Sequence, residues 1–352
     1  MIKSFLRFIV ISVLIITNSC NSPTEPEPLP GRRDYLWKVD TINPGNESLY
    51  LLRLWGSSPN DVWAVGSSSS STTSIWHYNG KQWQCDLIPR RVAPYGLFGF
   101  SQNYVWLGNS SGFNTIWHYN GNNWYQFAEL IPEEGYHSID ISNFDGLKYN
   151  DVFGVGIMRK YPTEKYEDEE YKGLIMNFNG FEWKFLKIPE VKTQFTEVAV
   201  DPKSKDLVLA ALGMTPERYF LSQVYSWDGK ELKELLSDIG GSTSVTKLGN
   251  EIFASYSSKI YKYENKSLIL WKNNHGTPMN GNIICGRSRN DFFLSANGGI
   301  AHYNGSDFNI IYKTDPTHQV QILIGLLFKN DVFFIEHNFT LGRNLIIHGT
   351  LN

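Results

Sequence analysis

The feature that most constrains this chain is a short pattern, Asn-Asp-hydrophobic-aromatic, that returns along nearly its whole length. Clear copies are Asn60-Asp61-Val62-Trp63, Asn103-Tyr104-Val105-Trp106, Asn150-Asp151-Val152-Phe153, Asn290-Asp291-Phe292-Phe293 and Asn330-Asp331-Val332-Phe333. Degenerate copies at Lys205-Asp206-Leu207-Val208 and Asn250-Glu251-Ile252-Phe253 fill the gaps, so seven starts between residues 60 and 330 give a mean period of 45 residues. Self-similarity at a fixed period means that one supersecondary unit is repeated side by side, and about 40–50 residues is the length of a four-stranded propeller blade.

A second signal follows each start. It reads Trp76-His77-Tyr78-Asn79-Gly80, Trp117-His118-Tyr119-Asn120-Gly121, Asn177-Phe178-Asn179-Gly180, Ser226-Trp227-Asp228-Gly229, Lys262-Tyr263-Glu264-Asn265 and His302-Tyr303-Asn304-Gly305. Asn-Gly and Asp-Gly between β-rich runs mark hairpins, because both residues tolerate positive φ. Each repeat is therefore strand a, an Asn-Asp turn, strand b, a variable loop, strand c, a tight hairpin and strand d. In the first copy the strands fall at Tyr50 to Trp55, Val62 to Gly66, Ser74 to Tyr78 and Gln82 to Leu87.

Strand b is apolar at successive positions, as in Val62-Trp63-Ala64-Val65. Both of its faces must then be covered, which a blade between two other blades achieves. Helical periodicity is confined to one short stretch, Leu232 to Leu236. The expectation is an all-β, seven-bladed β-propeller of four-stranded antiparallel blades.

The chain ends test that expectation. The last repeat stops after Leu345-Ile346-Ile347-His348, a strand c with no strand d behind it, while Tyr35 to Ile42 resembles a strand d and precedes the first strand a. The N-terminal strand should pair with the final blade and close the ring, removing the exposed edges.

Together, Trp55-Gly56-Ser57-Ser58-Pro59-Asn60-Asp61-Val62-Trp63-Ala64-Val65-Gly66 and Trp76-His77-Tyr78-Asn79-Gly80-Lys81-Gln82-Trp83 resemble the repeat of bacterial extracytoplasmic propeller proteins, distantly similar to kelch and sialidase-type propellers. The resemblance spans residues 35–352. It implies architecture more than function, since such propellers serve as adhesins, glycan binders, assembly factors and, less often, enzymes.

The leader sets the compartment. Lys3 and Arg7 precede an apolar run, Phe8 to Ile16, that is followed at once by Thr17-Asn18-Ser19-Cys20. The run is shorter than the roughly 20 residues of a membrane span and has the layout of a secretory signal peptide, residues 1–19. Cys20 after a small residue resembles the lipobox of bacterial lipoproteins, which implies acylation at Cys20 and a membrane held through that lipid. Residues 20–34, rich in proline and poor in apolar residues, read as a tether. The expected location is the cell envelope, at the outer membrane to judge by Asn21, or secretion if Cys20 is not acylated.

Without Lys3 and Arg7 the chain keeps 30 of its 32 basic residues against 35 acidic ones, a balance of about −5. With no basic run, nucleic acid is not expected as a partner. Cys85 and Cys285 sit in apolar strands far apart in sequence; buried thiols are the simpler reading, and a long-range disulfide stays open.

No catalytic constellation emerges. Asp61, Asp151, Asp291 and Asp331 recur at one repeat position, where a carboxylate capping its own turn is the plainest role. His77, His118 and His302 also recur at one position, which favours packing or a hydrogen bond to the neighbouring turn over metal ligation. Gly108-Asn109-Ser110-Ser111-Gly112 matches Gly-x-Ser-x-Gly but precedes no helix, as the nucleophile elbow requires. Asp140, Ser142, Asn143 and Asp145 lack the closing Glu of a calcium loop. No cofactor or metal is expected.

The two ends of the ring differ. The a–b and c–d turns are short and repetitive, whereas the b–c and d–a loops are long and all different, and binding residues concentrate on variable loops held by a rigid scaffold. The candidate binding face comprises Arg90, Arg91, Tyr95, Tyr136, His137, Tyr161, Tyr166, Arg218, Tyr219, His275 and His318. The expected function is a non-enzymatic, membrane-tethered binding or scaffolding module for a protein or glycan partner. The alternative is a glycan lyase or glycosidase in the central funnel, which would need two facing carboxyl groups.

Overall fold

A computed structural model describes residues 28–161, 170–278 and 281–352. The signal peptide, Cys20, the first part of the tether and Tyr166 lie outside the described residues.

Strand β1 (Tyr35–Ile42) precedes the first complete blade, β2 (Leu49–Ser58), β3 (Asp61–Ser68), β4 (Ile75–Tyr78) and β5 (Trp83–Cys85). Blade 2 is β6 (Pro94–Ser101), β7 (Tyr104–Asn109), β8 (Thr115–Tyr119) and β9 (Trp124–Glu129). Blade 3 is β10 (Ser138–Lys148), β11 (Asp151–Lys160), β12 (Glu170–Phe178) and β13 (Trp183–Phe185). Blade 4 is β14 (Thr193–Val200), β15 (Leu207–Met214), β16 (Phe220–Trp227) and β17 (Leu232–Ile239). Blade 5 is β18 (Thr243–Leu248), β19 (Glu251–Tyr256), β20 (Lys259–Glu264) and β21 (Ser267–Asn273). Blade 6 is β22 (Ile283–Ser288), β23 (Asp291–Ala296), β24 (Gly299–Tyr303) and β25 (Phe308–Lys313). Blade 7 is β26 (Val320–Leu327), β27 (Asp331–Asn338) and β28 (Arg343–Leu351), completed by β1.

Every sheet is a four-stranded antiparallel meander, and neighbouring blades touch mainly through their first strands, which line the central channel. The closing pair runs in unbroken register from Tyr35 opposite Leu351 to Ile42 opposite Asn344. Leu232 to Leu236, which could pass for a helical turn, is strand β17, because its apolar residues pack on β16. In the first blade strand d is shorter than expected: Leu87 is exposed and adopts a left-handed φ of 55°, which takes the chain out of the sheet after Cys85.

Strand b is buried on both faces, as its continuous apolar run requires: Val62 to Val65 and Val332 to Ile335 are all inaccessible or nearly so. The cores form between adjacent blades. One such core joins Ile335 and Phe333 of blade 7 to Leu51, Val62 and Ala64 of blade 1, so closure creates a blade interface as well as a sheet. Cys85 and Cys285 are free thiols. Burial pushes both above the usual thiol range, Cys285 well above it.

The repeated Asp does more than bond its own turn. The Asp61 carboxylate faces the Ser57 backbone amide, as expected, and in addition Oδ1 lies 2.7 Å from His77 Nε2 and Oδ2 accepts from the Ser57 hydroxyl at 2.5 Å. Burial alone would raise the Asp61 carboxyl, but the bonds from His77 and Ser57 hold it below the usual range. The same pair recurs as Asp291–His302 and Asp331–His348, both at 2.8 Å, and Asn177 takes the His role against Asp151. The imidazole also stacks on its cross-strand aromatic partner, His77 on Trp63 and His348 on Phe333. Backbone capping is most regular in the c–d hairpins: Asn79 Oδ1 accepts from the amides of Lys81 and Gln82, and Asn120, Asn179, Asp228 and Asn304 repeat this arrangement. Gly80 follows at a φ of 86° and packs against Asn60, where a Cβ would come within 2.9 Å, which explains why Asn accompanies Asp in the a–b turn.

Blade 2 is a natural variant of this unit. Tyr104 stands where the others have Asp or, in blade 5, Glu251, so both ring nitrogens of His118 lack a partner and burial lowers its pKa to about 4.

Two outcomes follow. Deleting residues 34–42 removes the burial of Tyr35 and Ile42, worth about 4 kcal/mol together, and uncovers an edge; calorimetry should show a melting temperature lower by roughly 10 °C. An unchanged value would mean the ring holds without its closing strand. Because the folded pKa of His118 lies below its unfolded value near 6.5, the unfolded chain binds the extra proton as pH falls from about 6.5 to about 4, and stability declines over that window. His118→Phe should flatten this part of the pH–stability curve relative to the parent, as read by thermal melts.

Candidate functional site: the channel and the variable-loop face

The inner strands carry an irregularity that organises the channel. In six of the seven blades, every one except blade 5, the first strand contains a β-bulge near its middle, at Leu52, Tyr95, Ser142, Thr196, Ile284 and Leu323. A bulge leaves one residue outside the ladder. Arg53, beside the first bulge, donates to the carbonyls of Leu52 (3.0 Å), Ser142 (3.0 Å) and Thr196 (3.5 Å), bulge residues of blades 1, 3 and 4. Its guanidinium also lies over the ring of Tyr95, the bulge residue of blade 2, at 5.6 Å. One cation thus reaches four blades. Its planar fork of donors suits several acceptors at once, which a lysine ammonium cannot match.

Around Arg53 the channel widens into a cavity of about 770 Å³ whose lining includes Asn143, Glu197, Ser242, Asn282 and Gln321. Glu197 accepts from the amide of Val245 at 2.8 Å. Enclosure by the channel wall pushes its carboxyl above the usual range, although that amide and Arg53 pull the other way. Asp145 is buried too and is already engaged, 2.6 Å from Lys247 of blade 5 and accepting from the amide of Val200. Desolvation raises Asp145 despite the Lys247 ammonium. Among the described residues that line this cavity, Glu197 is the one carboxylate.

A second cavity of about 520 Å³ opens beside it toward the variable loops, sharing Arg53 and Glu197 and walled by Tyr95, Leu212, Phe220 and Ser222. Leu212 pairs with Ser222 and Met214 with Phe220 across β15 and β16, which places Leu212, Met214 and Phe220 on one side of blade 4. All three are exposed, as is neighbouring Tyr219.

The topology puts the expected binding residues at the d–a and b–c end of the ring, but in different states. Arg90 is buried, with its guanidinium on Asp86 and the Ile88 carbonyl, so it shapes its own loop. Arg91 lies over Phe113. His137 accepts from the Tyr161 amide at 3.0 Å and stacks on the Tyr161 ring, and Tyr136 beside them carries Lys172 over its face. Arg218 adopts a left-handed φ of 68° in the loop that presents Tyr219 and Phe220. His275 is exposed, and His318 is half-buried against Asn338. Blade 3 brings Tyr136, His137 and Tyr161 together; Arg90 and Arg91 share the connection from blade 1 to blade 2, with Tyr95 just after it in β6, Arg218 and Tyr219 share a loop of blade 4, and His275 and His318 stand apart after blades 5 and 6.

Gly108 to Gly112 forms the end of β7 and a turn into β8. Asn109 there accepts from the Ala93 amide and donates to Thr115, a structural knot. Asp140 to Asp145 is strand rather than loop, with Asp140 held to Arg159 and Asp145 to Lys247. Among the described residues no group of three His, Cys, Asp or Glu is placed to hold a metal ion. Arg53, Glu197 and Phe220 were missed from sequence. A lone cation inside the apolar run Leu51-Leu52-Arg53-Leu54-Trp55 was the available signal for Arg53.

These features define the class: a seven-bladed β-propeller closed by its N-terminal strand, with an obstructed polar channel. Among solved structures the chain is similar to YCF48 bound to D1 peptide, at 13% identity and a TM-score of 0.60 over 92% of this chain and 100% of that one. It is also similar to YCF48 from Cyanidioschyzon merolae, at 12% identity and 0.54 over 88% and 98% of the two chains. BBS1N in complex with ARL6DN gives 14% identity and 0.54 over 91% and 98%. At such identities the likeness concerns the fold alone. No protein-family model and no curated protein matches the sequence.

Arg53→Ala should lower stability by about 2–3 kcal/mol in denaturant unfolding, since three inward carbonyls lose their donor, and Arg53→Lys should recover only part of it. An unchanged midpoint in both variants would show that channel water satisfies these carbonyls unaided.

Proposed function

We propose that this protein is a lipid-anchored binding propeller of the cell envelope whose variable-loop end takes a protein partner, with the blade 4 sector and the channel mouth as the contact. The observation that carries this reading is the grouping of Leu212, Met214 and Phe220 with neighbouring Tyr219, Tyr219 and Phe220 each being about 60% exposed, beside a cavity floored by Arg53 and Glu197. Singly exposed apolar residues are ordinary, but a group of them at a pocket is the signature of an interface. Aromatic anchors next to a concave, partly charged floor are where binding energy concentrates. The structures of YCF48 with D1 peptide and of BBS1N with ARL6DN support the reading by analogy, since in both a propeller of this shape holds a polypeptide partner. The leader, with Cys20 as the acylated residue, supports the anchor and the envelope location.

The test is a cross-linking pull-down from envelope extract with parent, Tyr219→Ala/Phe220→Ala and Phe181→Ala proteins. Phe181 is 87% exposed on a c–d hairpin at the opposite end and serves as the control. The double variant should lose the captured protein at least tenfold, as expected for interface anchors, while Phe181→Ala retains it. Equal capture by all three would overturn the assignment of the face.

A further inference from the structure

The last residues of the expected tether are not free. The Pro28 carbonyl accepts from Asn290 Nδ2 at 2.9 Å, and the Gly31 amide donates to the Asn290 carbonyl at 3.0 Å. Gly31 lies directly against the Asp291–His302 pair: a Cβ there would sit 2.7 Å from both Asp291 Oδ1 and His302 Cε1. Arg33 then closes over the imidazole. It donates to the carbonyls of His302 (2.9 Å) and Asp307 (2.6 Å), approaches His302 Nδ1 at 3.3 Å, and pairs with the Asp307 carboxylate at 2.7 Å. Arg32 ties Asp34 to the Asn352 carbonyl at the end of β28.

This contact singles out one repeat from otherwise equivalent copies. The His302 side chain is fully covered, whereas those of His77 and His348, in the same pairing with Asp, are 34% and 13% exposed. Asn290 and Asp291 belong to an a–b turn and Asp307 to a c–d hairpin. The segment therefore docks at the short-turn end, where β1 also begins.

We propose that residues 28–34 form a clasp on blade 6 that fixes where the anchored chain leaves the ring, so that the short-turn end faces the lipid surface and the variable-loop end faces away from it. The inference rests on the anchor reading above. Cys20 and Pro28 are eight Cα–Cα steps apart, a fully extended reach of roughly 26–29 Å. The eight residues of β1 alone cover about 26 Å from one end of the ring to the other. Even fully extended, that reach is used up along the height of β1, before it could clear the variable loops beyond and bring them to the bilayer. The clasp makes the attachment an oriented one and leaves the blade 4 sector open to a partner in the aqueous space.

The experiment uses the full-length acylated protein, reconstituted in vesicles of phosphatidylethanolamine and phosphatidylglycerol that carry an energy acceptor on a fraction of the headgroups. A genetically encoded fluorophore replaces Phe181, at the short-turn end, or Ile131, in a variable loop. Both positions are more than 80% exposed. Transfer from position 181 should be at least twofold more efficient than from 131, and Arg33→Ala should bring the ratio toward one without changing the melting temperature. Amide exchange on the detergent-purified protein supplies a readout independent of the membrane: Gly31 should exchange at least tenfold faster in Arg33→Ala than in the parent. Equal transfer from the two positions in the anchored parent, or an Arg33→Ala variant with unchanged Gly31 exchange, would overturn the clasp. If instead the parent fails to stay on vesicles, or Cys20→Ser stays on them, the anchor reading fails, and the exchange result still decides whether the clasp exists.

Discussion

The structure depends on one act of closure. Blade 7 is built from the two ends of the chain, and the β1–β28 ladder converts what would be an open stack into a ring. The seam with blade 1 is reinforced by polar contacts as well as apolar packing. Asn344 imitates a strand neighbour for β2, accepting from the Leu51 amide and donating to the Leu49 carbonyl. His337 bonds the Leu51 carbonyl while its ring stacks on Tyr50. Burial lowers the pKa of His337, although those same bonds resist the shift. Once the ring is closed, the radial position of every inner strand is set, and with it the width of the channel.

That fixed geometry explains why a single arginine matters so much. Repetition of the blade repeats the bulge in the inner strand, and each bulge removes a residue from the ladder near the axis. Burying unpaired carbonyls is costly. Arg53 satisfies three of them from three blades and covers the tyrosine of a fourth, so it acts as a hub. Blade 5, whose inner strand is regular, contributes Lys247 to Asp145 of blade 3 instead, a second bridge across the channel. The charges near the axis are thus mostly committed to holding blades together. Glu197, bonded to one amide and otherwise facing the cavity, is the exception.

The same repetition shows where the chain has been released from structural duty. In blades 1, 6 and 7 an Asp–His pair joins strands b and c, with an aromatic ring stacked on the imidazole in blades 1 and 7 and tilted against it in blade 6. In blades 4 and 5 the acidic residue of this position reaches the next blade, Asp206 to Tyr263 of blade 5 and Glu251 to Arg289 of blade 6, with Lys262 the cross-strand partner of Glu251. It is beside this degenerate sector that the exposed Leu212, Met214 and Phe220 and the mouth of the channel lie. In blade 6 the pair has taken on an added role, since its imidazole is the floor on which the N-terminal segment rests.

The sequence by itself determined the number of blades, their four-strand plan and the closing role of residues 35–42. Those follow from period, from Asn-Gly hairpins and from apolar runs with no wet face, all of which are local signals. It also indicated that His77, His118 and His302 share one structural position, although it did not show His77 as the cross-strand partner of Asp61. A backbone cap and a cross-strand histidine place the same demand on an Asp in one dimension, and only the pairing of strands b and c separates them. What the tertiary structure alone decided is everything that requires different blades to meet: the convergence of bulge carbonyls on Arg53, the apolar wall of Leu212 and Phe220, the burial of Arg90, and the docking of Gly31 and Arg33 on blade 6. Those contacts join residues up to some 270 positions apart, and no local pattern carries them, because they exist only once the closed ring has fixed the distance between blades.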